Sequence, residues 1–507
     1  MKKHLAILFL AAGMLLGGAQ QGQAVDFKAK GVWINMLEYG GGGNFVKNDR
    51  NGHNGTGWGR WGEDEFEAKT RVRLQLEAIA SESLSGTVYF EIGAATWGSA
   101  SKGGALGADK NIVKIKHSYL DWVVPGTAVK ARMGIQRIFL PDYASEASQV
   151  FDADVAGISV AAPLTEHLSL TAFWARAFND NWAADDKHPD RKTNYQDNMD
   201  LFALMVPLTF DGVKVTPWAM YGMAGANTNT LTSTAPYARY ANGGDKFDFD
   251  KAATGKAYGS MFWAGLPISL TLWDPLNVEL DINYGYVESM GRYQAERYGS
   301  DTDFRMGDTK REGWLVKALV EYKMDWGTPG IFGWYASGDD GNVKNGSERL
   351  PSIAGAGNFT SFMGDGNLAW GTGYNFYDNN LTYAGTWGVG LQIADVSFVE
   401  DLKHTFRVAY WGGTNSPSMV KYMGSGVAWD DTTAAQDGPY LTTNDGLLEF
   451  NLVNSWQIYE NLEANLELGY IVNMMDKDTW DKSYISEQRN WSKQDAWKAQ
   501  LIFAYSF

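Results

Sequence analysis

The sequence predicts an all-β fold, a transmembrane antiparallel β-barrel, from three observations. Segments of about ten residues alternate polar and apolar side chains with a period of two, as membrane-barrel strands do. Short turns and long polar loops follow one another along the chain. The 507 residues are 14% aromatic, yet no stretch after the N-terminal region is long and apolar enough for a membrane helix.

The composition excludes several other classes of protein. The chain has no cysteine, which excludes a disulfide framework, thiol catalysis and thiolate metal sites. Its 43 basic and 59 acidic residues give a net charge of −16, so nucleic acid is not an expected partner. Because disordered chains contain few aromatic residues, the composition indicates a folded chain.

Residues 1–24 have the pattern of a secretory signal peptide. Lys2 and Lys3 precede an apolar run, and Gly22 and Ala24 stand where a small-residue cleavage site is expected. We therefore expect cleavage after Ala24 and secretion through the inner membrane, with an uncleaved anchor as the alternative.

The mature chain, residues 25–507, is predicted to form one barrel domain. Residues 66–79 show the alternation most clearly, with Val72 on an apolar face and Arg71 and Arg73 on a polar one. Eighteen strands are expected, and sixteen is the alternative because two segments are short. The predicted strands lie near residues 26–38, 66–79, 86–97, 111–123, 128–139, 155–163, 167–178, 199–209, 213–224, 258–272, 277–288, 313–325, 329–337, 383–394, 402–413, 444–458, 462–474 and 496–507.

The connections between these strands alternate in length. Short ones, such as 124–127 and 459–461, carry the Gly, Pro, Asp and Asn of tight turns. Long ones, such as 225–257 and 338–382, are rich in Gly, Asn, Asp, Ser and Thr. This layout predicts short periplasmic turns at one end of the barrel and long extracellular loops at the other.

The last segment of the chain is an amphipathic strand that stops at an aromatic residue. Tyr505 and Phe507 share a face with Trp497 and other apolar residues. This ending resembles the assembly signal of outer-membrane barrels, which the barrel-assembly machinery recognises. An ordinary edge strand is the alternative.

Four stretches resemble the homotrimeric porins of Gram-negative outer membranes, in particular the family found in Desulfovibrio-type bacteria. They are VDFKAKGVWINMLEYGG (25–41), FEAKTRVRLQLEA (66–78), KIKHSYLDWVVPGTAVKARMGIQ (114–136) and the terminal FAYSF. The resemblance implies an outer-membrane trimer, surrounded by lipid and lipopolysaccharide. It also implies water-filled channels for passive diffusion of ions and small hydrophilic solutes, each narrowed by an outer loop folded into the pore.

Two charged features are candidates for the pore. The first, here called the basic wall, lies on the polar faces of early strands and consists of Lys69, Arg71, Arg73, Lys114, Lys116, Lys130 and Arg132. The second is the candidate constriction loop 140–154, whose acids are Asp142, Glu146, Asp152 and Asp154. Porins of this type set a basic wall against an acidic loop. We therefore predict that Arg71, Arg73, Lys130 and Arg132 face those acids, with a solvated wall and an ordinary surface loop as the alternatives.

Other functions remain open as alternatives. Aromatic residues near strand ends predict a girdle at the lipid interface, or else a sugar-stacking path in a channel selective for sugars or organic anions. A secreted all-β carbohydrate-binding protein is a further alternative, because it would also be rich in aromatic residues. Catalysis is not expected, because neither an HExxH nor a GxSxG motif occurs. No cofactor or dedicated metal site is expected, although the acidic stretches 247–250 and 337–342 could bind Ca²⁺ weakly.

Overall fold

A computed structural model of the chain shows a closed antiparallel β-barrel. It describes residues 25–42, 65–107, 111–145, 147–179, 198–225, 256–296, 304–355, 359–361, 383–422, 440–480 and 493–507. The predicted signal peptide, Glu146 and the acidic stretch 247–250 lie outside the described residues.

The barrel wall in this part of the chain consists of eighteen strands, drawn from the 20 segments of one sheet. Two strands, β8 and β9, each contain two segments. The strands are β1 (Asp26–Gly41), β2 (Glu65–Ser81), β3 (Leu84–Thr96), β4 (Val113–Val123), β5 (Lys130–Phe139), β6 (Asp152–Pro163), β7 (Ser169–Asn179), β8 (Asn198–Met205 and Leu208–Phe210), β9 (Val213–Val215 and Trp218–Gly225), β10 (Tyr258–Trp273), β11 (Leu276–Val287), β12 (Arg311–Tyr322), β13 (Thr328–Ala336), β14 (Thr386–Val399), β15 (Leu402–Gly413), β16 (Gly446–Tyr459), β17 (Leu462–Asn473) and β18 (Ala496–Ser506).

The breaks within β8 and β9 have a chemical cause. Pro207 and Pro217 fall at them, and proline has no N–H with which to continue a sheet ladder. The chain nevertheless keeps its direction, because the Val206 N–H donates to the carbonyl of Pro217 across the break at 2.9 Å. The segments on either side therefore act as single strands of the wall.

Each strand pairs antiparallel with the next, and β18 pairs with β1 to close the ring. The closing register runs from Val32 opposite Ser506 to Gly41 opposite Trp497. Phe507 extends the pairing, since it exchanges two backbone hydrogen bonds with Gly31 at 2.9 and 3.0 Å. The barrel wall thus has no unpaired edge.

The two faces of the wall differ as the alternation predicts. On β1, Trp33 and Tyr39 are exposed on the outer face, whereas Met36 and Glu38 are buried on the inner one. On β2, the side chain of Arg71 is likewise buried inside. An apolar outer face and a polar inner face are what a barrel in a bilayer requires.

The structure confirms the predicted fold class and strand number. Each of the eighteen predicted segments corresponds to one strand, within a few residues at each end. The two short segments that left sixteen open are β6 and β13, and both pair on two sides.

The long-loop end of the barrel carries the remaining described elements. These are a hairpin of two strands (Arg292–Glu296 and Phe304–Asp308), a 3-10 helix (Pro417–Tyr422) and a short α-helix (Lys477–Trp480). Loop residues such as Tyr440 and Trp480 join inward-facing Trp263 and Trp411 in one buried apolar cluster. Within the described residues, no helix is both long enough and apolar enough to cross a membrane.

Candidate functional site

The loop that follows β5 folds into the barrel and binds its far wall. The backbone N–H groups of Tyr143 and Ala144 donate to the Asp281 carboxylate of β11, at 3.2 and 2.6 Å. The Tyr143 hydroxyl lies 2.8 Å from the Thr216 hydroxyl, between the two segments of β9. Since β5 and β11 are not neighbours in the sheet, the loop crosses the interior of the barrel.

A buried ion pair fixes the start of this loop. The Asp142 carboxylate pairs with the Lys317 ammonium of β12, and their side chains are 2% and 0% exposed. Lys317 also donates to the Ser145 hydroxyl at 2.7 Å, and Asp142 accepts the Ser145 N–H at 3.2 Å. A buried charge is stable only when it is paired and hydrogen-bonded, so these contacts hold the loop in one position.

The end of the loop packs on a second inward segment. The Val150 carbonyl accepts the Ile353 N–H at 3.0 Å, and the Ala354 carbonyl accepts the Asp152 N–H at 2.8 Å. The Gln149 side chain accepts the Tyr383 N–H at 2.9 Å. Both ends of loop 140–151 are therefore anchored, but its role as a constriction remains a prediction.

The basic wall carries its own counter-ions on the neighbouring strands. Arg73 lies 3.1 Å and Arg71 3.7 Å from the Glu91 carboxylate of β3. Arg132 donates two hydrogen bonds to Asp121 of β4, at 2.6 and 2.8 Å. The wall is therefore a mixture of both signs and not a row of cations.

The other basic residues of the predicted wall lie on β2, β4 and β5. Lys69 pairs with Glu67 on its own strand. Lys114 stands opposite Glu91 in the register of β3 and β4, and Lys130 stands opposite Val123 at the short-turn end of β4. The contribution of these residues to ion selectivity remains a prediction.

Three of the predicted loop acids have partners other than Arg71, Arg73, Lys130 and Arg132, and one of these partners, Lys116, belongs to the basic wall. Asp142 pairs with Lys317, Asp152 with Arg137 at 2.7 Å, and Asp154 with Lys116 and His117.

The physical reason is that β6 begins at Asp152, before the predicted start near residue 155. Asp152 and Asp154 therefore lie on a strand and alternate with Ala153 and Val155, which pack on the inner core. They share the face of Ile158, which is exposed on the outside. Of the described acids in 140–154, Asp142 is the one that lies in the loop and not on a strand.

Four charged residues that position the loop or the wall were not predicted as site residues: Glu91, Asp121, Asp281 and Lys317. Each lies on the polar face of a predicted strand, so the alternation alone could have marked it as inward-facing. Their partners could not be read from the pattern, because cross-strand partners depend on the register and on how the loop folds inward.

The aromatic residues separate into two groups. Trp33 and Trp456 are exposed on the outer face and Trp326 is exposed in the turn between β12 and β13, as expected of an interfacial girdle. Inside, the rings of Trp334 and Tyr383 lie 4.5 Å apart within the buried core. Because the inner rings are buried against one another, they favour a packing role over a sugar-stacking path.

The acidic stretch 337–342 is part of a hydrogen-bonded loop. Asp339 accepts hydrogen bonds from the hydroxyls of Ser347 and Tyr440 at 2.6 and 2.8 Å, and burial raises its pKa. Burial also raises the pKa of Glu348 to about 7. Across the described residues, no group of three or more His, Cys, Asp or Glu side chains has an arrangement suited to a metal ion.

These features define the architecture: a closed antiparallel β-barrel of eighteen strands with an apolar outer face, a polar interior and an inward-folded loop, as transmembrane barrels have. No protein-family model matches the sequence, and no curated protein matches it.

Several solved structures have a similar fold. The outer membrane protein opdK from Pseudomonas aeruginosa is 12% identical, over 95% of this chain and 98% of that one, with a TM-score of 0.49. A BenF-like porin from Pseudomonas fluorescens Pf-5 is 11% identical, over 96% and 100%, with a TM-score of 0.49. OccK2 (OpdF) from Pseudomonas aeruginosa, solved in complex with glucuronate, is 12% identical, over 96% and 99%, with a TM-score of 0.49. The fold assignment itself rests on the strand pairing described above.

Proposed function

We propose that the chain is an outer-membrane porin through which ions and small hydrophilic solutes diffuse passively. The observation that carries this is the closed wall with charged residues inside and large apolar residues outside. Phe27 and Phe398, for example, are 72% and 80% exposed on the surface. A secreted carbohydrate-binding protein would present this apolar belt to water, where large apolar patches are unstable. In a bilayer the same belt contacts lipid.

Loop 140–151 is the proposed constriction. Its two anchors hold it across the interior, so solutes pass between the loop and the basic wall. In this arrangement Asp142 is neutralised by Lys317, and the field in the channel is set by the mixed charges of β2 to β5. A channel selective for organic anions is the second candidate, because Lys69, Arg71 and Arg132 lie on that wall.

The finer features of the proposal follow the resemblance to Desulfovibrio-type porins. The chain forms a homotrimer in a lipopolysaccharide-containing outer membrane, after its signal peptide is removed. The barrel-assembly machinery recognises the last strand through Tyr505 and Phe507, whose rings stack at 6.1 Å. The channel has no catalytic role.

Reconstitution in a planar bilayer tests the channel function. Purified, folded protein should add discrete conductance steps, and steps in groups of three would support the trimer. The absence of any step would contradict the porin proposal. In a salt gradient, replacing Asp142 and Glu146, the two acids that remain in the loop, by their amides should shift the reversal potential toward anions if the loop sets selectivity.

Gel migration provides an independent test of the assembly. Unheated protein in SDS should migrate as a trimer-sized band, and boiling should reduce it to the monomer. A monomer-sized band both before and after boiling, with no change in migration, would contradict both the trimer and the stable barrel.

A further inference from the structure

We infer that the inner wall near the short-turn end of the barrel holds a binding site for zwitterionic solutes, formed around the ion pair of Arg132 and Asp121. The inference rests on the proposed channel function and narrows it to a class of solute. A cavity of about 380 Å³ lies there, within the size range of small-molecule sites.

The cavity follows from the strand register. Ser85, Asp121, Arg132 and Ser159 stand opposite one another in one row across β3 to β6. The two charged residues occupy the middle of the row, and a small serine flanks them on each side. The short flanking side chains leave the concave space in front of the pair.

The next row toward the short turn extends the cavity. It contains Lys130, Ala161 and Thr171 in register across β5 to β7, and all three line the cavity. Lys130 adds a second cation on the side of Arg132. The turn between β2 and β3 adds Glu82, a second carboxylate. The cavity therefore presents both signs of charge.

The ion pair is held rigidly but keeps free hydrogen-bonding capacity. Its two hydrogen bonds are parallel, from Nε to Oδ1 and from Nη2 to Oδ2, at 2.6 and 2.8 Å. The guanidinium also lies over the Tyr119 ring, 4.1 Å from its centroid. A guanidinium has five N–H donors and a carboxylate about four acceptor positions, so this pair uses about half of them.

The pair is also accessible to solutes. The side chains of Arg132 and Asp121 are 40% and 34% exposed. They face the interior, because Met133 and Leu120, their neighbours along the two strands, are exposed on the outer face.

The charge arrangement selects the class of ligand. A simple anion that bound Arg132 would be repelled by Asp121, and a simple cation on Asp121 would be repelled by Arg132. A molecule that carries a carboxylate and an ammonium can satisfy both, with its carboxylate toward Arg132 and Lys130 and its ammonium toward Asp121 and Glu82. Small amino-acid-like zwitterions have this chemistry.

The test compares three probes that share the glutamine skeleton but differ in charge, in the reconstituted channel at about pH 6, where amino groups are protonated. Glutamine is the zwitterion, N-acetylglutamine the anion and glutamine methyl ester the cation. We expect glutamine to interrupt the current at a concentration about tenfold lower than either analogue requires. Equal interruption by all three probes would overturn the inference.

Variants locate the site. Arg132→Gln and Asp121→Asn should each lower the apparent affinity for glutamine about tenfold and remove its advantage over the analogues. The matched control is Arg137→Gln, because Arg137 makes the same two-bond contact with Asp152 on the outer face, at 2.7 and 2.7 Å. The control should bind glutamine as the wild type does. Retained affinity in the first two variants would overturn the inference.

Two further readouts keep the result interpretable. If either charge variant fails to fold, as judged by gel migration before and after boiling, Ser85→Leu fills the cavity without removing the pair. It should abolish interruption by glutamine while conductance persists, and unchanged interruption would count against the site. A protein without any conductance would contradict the porin proposal, whereas conductance without a preference for glutamine contradicts this inference alone.

Discussion

Replacing Lys317 by methionine should release the loop that crosses the barrel. Methionine keeps most of the length of the lysine side chain but removes its charge, and Lys317 is fully buried against Asp142. Breaking a buried pair by removing one partner costs about 3–5 kcal/mol, because the other charge is left without compensation. That energy disfavours the anchored loop by at least about a hundredfold.

The expected result is a wider and noisier channel. Released from Lys317, Asp142 and Ser145 leave the far wall, and single-channel recordings should show a larger mean conductance with more open-state fluctuation. The double variant Asp142→Asn with Lys317→Met removes both charges and should recover most of the wild-type behaviour.

Lys310→Met is the control, because Lys310 pairs with Glu312 at 2.7 Å with both side chains at least 40% exposed. An exposed pair of this kind contributes about 1 kcal/mol or less. If Lys317→Met folds, and its conductance and noise match those of the control, then the buried pair does not hold the loop and the reasoning is wrong.

Three other predictions concern stability and assembly. Burial raises the pKa of Glu348 to about 7, so between about pH 5 and 7 the folded chain holds a proton there that the unfolded chain has released. The stability of the fold therefore falls as pH rises through this range. In Glu348→Gln the melting temperature should fall less over the same range. Gly134→Ala should lower the refolded fraction on gels, since φ is +131° and a Cβ would lie 2.2 Å from the Ser118 carbonyl oxygen; Gly126→Ala, with φ +75° and nothing within 4 Å, should lower it less. Phe507→Ala removes a ring 5.3 Å from Trp33 and should reduce the assembled fraction in outer-membrane preparations, and an unchanged fraction would contradict its role.

The sequence predicted the wall of the barrel well because the wall depends on local rules. Side-chain direction alternates along any strand, and tight turns need Gly, Pro, Asn or Asp, so both strand and turn can be read residue by residue. Segments as different as 66–79 and 462–474 were recognised by the same pattern.

The interior of the barrel was predicted less well because it depends on contacts between distant parts of the chain. The partner of Asp142 is Lys317, 175 residues away, and no local pattern indicates that contact. The alternation predicts that β6 begins near residue 155, which leaves Asp152 and Asp154 in the loop, but pairing with β5 extends β6 to include them. Arg132 was recognised, while its partner Asp121 was not, because their pairing is a matter of register.

The closure of the ring also constrains when the protein can fold. Glu38 on the first strand contacts Gln500 on the last, 462 residues further along the chain. During synthesis β1 is therefore made long before β18, its second neighbour, exists. Until then β1 has an open edge that could pair with other chains. Closure of the ring is consequently a late event that requires the last strand, and until then the open edge of β1 has to be kept from pairing with other chains.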